Sequence, residues 1–234
     1  MSIAEKLVTV AENIPKVYNA GYLKGKSEGG SNGTDYLQYL QSAMFSTAIS
    51  EITENIDLNV SRMTSVSGLF NTRALNCEKL TIKISDNCSN FMNFMSTNPS
   101  YVGTIKEVEI IGNTSKVTTW LGAFNQRKTL EKIIGELDFS NNTNFTNTFV
   151  GCSALQLFTP KKETISLSIS FSNSPDLLNK SKQAIFDGLA PVETTQTLTL
   201  NNQVKILQSQ VDSANAKGWT VAGGTVVSEE EYYG

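Results

Sequence analysis

The residues best suited to acid–base chemistry are carboxylates at short spacing: Glu54 with Asp57, Glu107 with Glu109, and the run Glu229, Glu230 and Glu231. Two carboxylates set across a substrate can divide the roles of acid and base or nucleophile. The first two pairs flank Ile56 and Val108, and the alternation of apolar residues there puts the acids on the solvent side of short strands. Solvated charge is the ordinary outcome for such a face. The three glutamates could attract a hard cation, but they lie in a tail expected to be loose. The chain contains no histidine. Histidine-based metal sites, Ser-His and Cys-His nucleophile pairs and histidine pH switches are therefore excluded. The cysteines are three, Cys77, Cys88 and Cys152, with no CxxC spacing, so neither a disulfide framework nor a zinc site is expected. Gly29-Gly-Ser-Asn-Gly33 follows no strand and lacks the Lys-Ser/Thr of a phosphate-binding loop. These residues predict a protein that is not an enzyme and carries no metal or cofactor.

The elements that would position any site come in copies. An aromatic or methionine recurs at Phe45, Phe70, Met95, Phe124 and Phe149, at steps of 25, 25, 29 and 25 residues. A second mark precedes each of the last four by four residues: Val66, Phe91, Trp120 and Phe145. A third follows at Leu75, Tyr101, Leu130 and Leu155. Short alternating strands are predicted at Ile56-x-Leu58, Ile82-x-Ile84, Val108-x-Ile110, Leu137-x-Phe139, Leu167-x-Ile169 and Leu198-x-Leu200. In-phase marks at a drifting period of this size predict an α/β repeat solenoid, its short strands stacked in one sheet. No unit could bury its apolar face alone, and stacking of neighbours does so. In that frame Phe70, Phe124, Phe149 and Trp120 belong to the core, and Cys152 is a small buried thiol in Phe149-Val-Gly-Cys-Ser-Ala-Leu155. The longer third step places an insertion near Asn98-Pro-Ser-Tyr-Val-Gly103. Tyr101 lies beside that turn and is the best surface contact candidate, although it also aligns with the core positions Leu75 and Leu130.

Composition narrows the partners. With 234 residues, 39% hydrophobic and 18% charged, and a net charge of −3, the chain has room for one array and a small appendage but carries no basic stripe for nucleic acid. The polar residues are mostly Ser, Thr and Asn. No stretch reaches about 18 apolar residues, so no membrane insertion is expected. Met1-Ser-Ile-Ala-Glu-Lys-Leu lacks the basic and apolar regions of a signal peptide, which predicts synthesis without export by the usual route.

Residues 1–27 form a separate segment. Ile3, Leu7, Val10, Ile14 and Val17 alternate spacings of four and three, the a/d seam of a coiled coil. Pro15 either kinks this helix or begins a second one capped by Asn13. The segment can self-associate, dock into a larger assembly or fold against its own domain, and its seam does not choose cleanly between two and three strands. Residues 28–35 form a Gly/Ser-rich linker, giving a reach of roughly 15 Å. The array spans 36–173 and a capping repeat 174–224. Ser174-Pro175-Asp176 predicts a helix start, and a second helix is expected over about 202–217, stopped by Gly218. Residues 225–234 close the chain as an acidic tail.

The run Asp138-Phe-Ser-Asn-Asn-Thr-Asn-Phe-Thr-Asn-Thr-Phe-Val-Gly-Cys-Ser-Ala-Leu155 resembles the BspA-like class of bacterial leucine-rich repeats, whose unit reads roughly Asp-x-Ser-x-Val-x-x-Met-x-x-Met-Phe-x-Gly-Cys-x-x-Leu. Asp138, Ser140, Phe149, Gly151, Cys152 and Leu155 match. Asn142 stands in place of valine, and Phe145 and Thr148 in place of methionines. The resemblance covers about residues 36–222. The other units are more degenerate: Val117, Trp120, Phe124 and Leu130 keep the frame without the Gly-Cys pair. The segment Ala4-Glu-Lys-Leu-Val-Thr-Val-Ala-Glu-Asn-Ile-Pro-Lys-Val-Tyr-Asn-Ala-Gly-Tyr-Leu-Lys-Gly-Lys-Ser-Glu-Gly29 is similar to leader segments on proteins of tailed phages and prophages. Together the resemblances imply a non-enzymatic virion protein of head or tail fibre type. It would be made in a bacterial cytoplasm, released at lysis, and homo-oligomeric with a trimer favoured. Its N-terminal helix would bind other phage particle proteins, and its repeats a host-surface or mucosal glycan or protein. The alternative is a bacterial cell-surface adhesin of the same repeat class.

Overall fold

A computed structural model describes residues 51–52, 55–61, 63–72, 74–98 and 103–234. The seam residues Ile3, Leu7, Val10, Ile14 and Val17, the linker, Phe45, Glu54 and Tyr101 lie outside the described residues. The chain is α/β, with parallel strands in sheets and few helices. Strands β2 (Ile56–Val60), β4 (Lys79–Ile84), β5 (Glu107–Ile111), β6 (Lys132–Leu137) and β7 (Leu157–Pro160) form a five-stranded sheet in that order. Ile56 pairs with Leu80, Leu80 with Val108, Val108 with Ile133, and Ile133 with Phe158, all in parallel. Each strand thus pairs in parallel with a strand 24–28 residues further on. The two-residue strands β1 (Glu51–Ile52) and β3 (Ala74–Leu75) pair in the same way.

A second ladder runs through the turn segments. The N–H groups of Val66, Gly68, Phe70 and Thr72 donate to the carbonyls of Asn90, Met92, Phe94 and Ser96. Those of Phe91, Asn93, Met95 and Thr97 donate to Thr119, Leu121, Ala123 and Asn125. Those of Trp120, Gly122, Phe124 and Gln126 donate to Asn144, Thr146, Thr148 and Val150. Hydroxyls reinforce its start: Ser89 donates to the Thr64 carbonyl, Thr118 to Ser89, and Thr143 to Thr118, at 2.8–3.1 Å.

Between the two ladders lies the core. Val66, Phe70, Phe91, Met95, Trp120, Phe124, Leu130, Phe145, Phe149, Cys152 and Leu155 are all buried. One column of rings runs Phe70, Phe94, Phe124, Phe149, Phe171, with centroids 4.7–6.4 Å apart. A second joins Phe91 to Trp120 at 4.3 Å and Trp120 to Phe139 at 5.0 Å. Each aromatic pair adds about 0.5–1.5 kcal/mol beyond its burial. Phe94, rather than its neighbour Met95, supplies the ring between Phe70 and Phe124. Met95 is buried beside it and offers its carbonyl to Arg127 Nε at 2.5 Å, while Arg127 also donates to the Phe70 carbonyl at 3.1 Å. Arg127 is fully buried. Burial pushes its pKa down to about 10, so the cation persists at neutral pH.

Several elements differ from the sequence expectation. The fourth strand is β6, and Leu137 is its last residue. Phe139 is buried beyond it. Gly135, at φ +141°, marks a register shift between Ile133 and Leu137 that breaks the simple alternation. The fifth strand is β7, which ends on Pro160, a residue that reads as a strand breaker. The strands do not form one sheet. β8 (Ile169–Phe171), β9 (Gln196–Leu200) and β11 (Trp219–Ala222) make a separate parallel sheet in the order β11-β9-β8. Helix α1 (Asn179–Gly188) begins later than Ser174, whose hydroxyl instead donates to the Cys152 carbonyl. This helix covers the edge of β7. Ser181 accepts from the Phe158 N–H and donates to the Phe158 carbonyl, each at 3.0 Å, so the five-stranded sheet stops there without an open edge.

Helix α2 is shorter than expected, Gln208–Ala216, because Lys205–Ile206 forms strand β10 against β12 (Thr225–Val226). Residues 225–234 are therefore not a loose tail. After β12 they form helix α3 (Glu229–Tyr233), capped by Ser228, and bury Tyr232. The Lys182 ammonium sits 4.2 Å from the Tyr232 ring centre, and Asn179 donates to the Tyr232 carbonyl at 2.9 Å.

Two predictions test this architecture. A Cβ on Gly135 would lie 2.5 Å from the Ile110 carbonyl oxygen. Gly135→Ala should cost about 2–3 kcal/mol, read as a lower urea midpoint at unchanged m-value. An unchanged midpoint would contradict this packing. Asp138 is buried, which by itself raises its pKa. Hydrogen bonds from the Ser140 hydroxyl and N–H and the Lys161 ammonium at 3.0 Å outweigh this and hold the carboxyl below the usual range. With the folded pKa below the unfolded one, the contribution is present above about pH 4 and is lost as pH falls through the folded value. Asp138→Asn should lose about 1–2 kcal/mol at neutral pH, with the gap to wild type closing in acid. Equal gaps at both pH values would exclude the linkage.

Candidate functional site

Glu107 and Glu109, highlighted by the sequence, serve the sheet surface. Lys79 Nζ is 3.0 Å from Glu107 and 2.7 Å from Glu109, and Lys132 is 3.5 Å from Glu107. The ion-paired hydrogen bond from Lys79 holds the Glu107 carboxyl below its usual range. Glu231 pairs with Lys205 at 3.1 Å. Such surface pairs are worth about 0–1 kcal/mol each. Among the described residues no cluster of His, Cys, Asp or Glu could hold a metal ion, and no helix is long and apolar enough to cross a membrane. Cys77, Cys88 and Cys152 are buried free thiols. Burial raises the pKa of all three, and that of Cys152 to about 12. The thiolate needed for nucleophilic chemistry is therefore suppressed.

The most distinctive surface lies where the turn ladder stops. The turn at residues 143–150 accepts from the layer before it, yet the main-chain N–H groups of Phe145, Asn147 and Phe149 have no partner among the described residues. Ser168, which would continue the column, donates its N–H to Gln196 Oε1 instead, at 2.8 Å. The chain reaches the next layer early: the Ser174 hydroxyl meets the Cys152 carbonyl across 22 residues, and Phe171 stacks on Phe149 at 4.7 Å. The layers touch at that end and part at the other.

An open cleft of about 420 Å³ results. Thr143, Asn144, Phe145, Thr146, Asn147 and Val150 form one wall. Leu167, Ser168, Ile169 and Ser170 form the other, with Gln196, Thr197 and Thr199 beyond it. Strand pairing sets Ser170 beside Thr199 and Ile169 beside Leu198, so hydroxyls line the outer face while the aliphatic residues turn into the core. None of the lining residues is charged. Asn142, next to this wall in sequence, is 5% exposed, and its Nδ2 has no partner among the described residues. Sequence reasoning passed over this cleft. Its signals were the shortened step from Phe149 to Phe171 and the alternations Ser168-x-Ser170 and Thr197-x-Thr199.

Compared with protein-family models, curated proteins and solved structures, the chain matches none.

The thiol environment gives a direct check. Native protein should leave all three cysteines unmodified by a thiol-specific disulfide reagent, and denatured protein should react at all three. A fast-reacting thiol in the native state would reopen cysteine chemistry.

Proposed function

We propose that this chain is a non-enzymatic attachment protein of a tailed-phage particle, displaying a leucine-rich-repeat solenoid on the virion. The two-sided parallel ladder between residues 56 and 160 carries this reading. Strands on one side and turns on the other pair with their own copies at nearly constant steps, which is how stacked repeats close their backbone. The match of Asp138, Ser140, Phe149, Gly151, Cys152 and Leu155 to the BspA-like unit supports the repeat class. In that unit Asp138 binds Ser140, and Cys152 Sγ donates to the Phe124 carbonyl at 3.2 Å. Residues 174–234 act as the closing cap, with α1 over the β7 edge. Particle membership rests on the similarity of residues 4–29 to phage leader segments. In this reading those residues trimerise or dock onto the particle, the Gly/Ser linker gives reach, and several copies gain avidity for a host or mucosal surface.

Light scattering on the full chain and on a chain beginning at Gly33 tests this. The full chain should be a defined oligomer, a trimer by preference, and the shorter one a folded monomer absent from purified particles. Recovery of the shorter chain in particles would sink the anchoring role of residues 1–30.

A further inference from the structure

We propose that the cleft between residues 143–150 and the Ser/Thr face of the second sheet binds a short neutral oligosaccharide, a proposal that rests on the attachment reading and names its ligand. The first argument is charge. The cleft holds no charged side chain. An anionic or cationic ligand would surrender its hydration without a counter-charge in return. A neutral, hydroxyl-rich ligand loses no such interaction.

The second argument is unused hydrogen-bonding capacity. The hydroxyls of Thr146, Thr197 and Thr199 and the Asn147 amide make no hydrogen bond among the described residues. The main-chain N–H groups of Phe145 and Asn147 are equally free, and a sugar hydroxyl or acetamido carbonyl can accept from them. The third is the mixture of surfaces. Phe145, Val150 and Leu167 line the same cleft as these polar groups, a mixture that suits the apolar C–H face and polar rim of a pyranose.

Shape opposes the main competitor, an extended peptide adding to the open backbone edge. A strand inserted between two edges needs about twice the 4.8 Å ladder spacing. The layers are already in contact at Phe149 and Phe171, at 4.7 Å. The wedge suits a compact ligand at its open end.

The test uses the full chain and a panel of soluble neutral oligosaccharides built from galactose, fucose, mannose and N-acetylglucosamine, beside sialylated and sulfated counterparts, with binding followed by calorimetry. At least one neutral sugar should bind, its charged counterparts should bind at least tenfold more weakly, and Thr197→Val/Thr199→Val should weaken it tenfold or more. That double variant exchanges half-buried hydroxyls on the cleft wall for methyls. Its melting temperature should stay near wild type, and a Ser170→Asp variant should give the same loss by placing charge in the cleft. Binding by no neutral sugar, binding unaltered in both variants, or binding only to extended peptides would each overturn the proposal. Particle adsorption separates the two readings. Adsorption that survives both cleft variants leaves the attachment role standing and removes this cleft from it. Sugar binding in solution by a protein whose loss leaves adsorption unchanged removes the attachment role and leaves the cleft.

Discussion

Successive parallel segments among the described residues leave rows of N–H groups and carbonyls open at their sides, and most of these are closed by the neighbouring segment. Buried backbone groups left unpaired cost about 1–3 kcal/mol each, so this closure constrains the rest. It sets the same step on both faces at once, 24 residues, then 28, then 24 or 25. It dictates that the aromatic rings fall in register, Phe70 over Phe94 over Phe124 over Phe149, because the turns that carry them are tied at fixed positions. It also makes both ends of the array a problem. At β7 the solution is local: a helix laid across the edge, with one serine hydroxyl serving both the N–H and the carbonyl of Phe158.

On the turn side no such cover is found among the described residues. The layer that should follow residues 143–150 arrives early and joins a different sheet, so the two faces of the array end at different places. The strand face ends at a helix, while the turn face continues through β8, β9 and β11 after a break. The break leaves a polar recess whose donors are not consumed by the fold. Elsewhere, most charged and thiol groups whose environment the structure defines are taken up by neighbours or buried. Lys79 sits between two glutamates, and Cys152 bonds to a carbonyl.

How much of this was legible follows from periodicity. Strands β2, β4 and β5 alternate cleanly and stand at the expected residues. β6 was misplaced because Ile134 and Gly135 interrupt the apolar alternation between the inward residues Ile133 and Leu137. β7 was missed because it is four residues long and ends in proline. Met95 aligned with the aromatic marks by count, but the ring belongs to Phe94; a one-residue slip is invisible when both neighbours are apolar. The tail looked polar because its first helical turn is three glutamates, while its one buried side chain is a single tyrosine received by Lys182, Gln210 and Asn179. The recess could not be read from residue types, since Ser, Thr and Asn are abundant throughout. It arises from a missing row of hydrogen bonds.

The buried arginine bears on how such a chain assembles. Arg127 donates to the Met95 and Phe70 carbonyls, the latter 57 residues away, so that its own segment and the two before it, three in all, meet at one guanidinium. Its guanidinium can leave water without stranding a charge only when all three are in place. An array built from neighbour contacts alone could fray or grow one unit at a time. A shared desolvated cation instead ties these segments to one another, because taking any one of them away would leave buried charge short of its carbonyl partners.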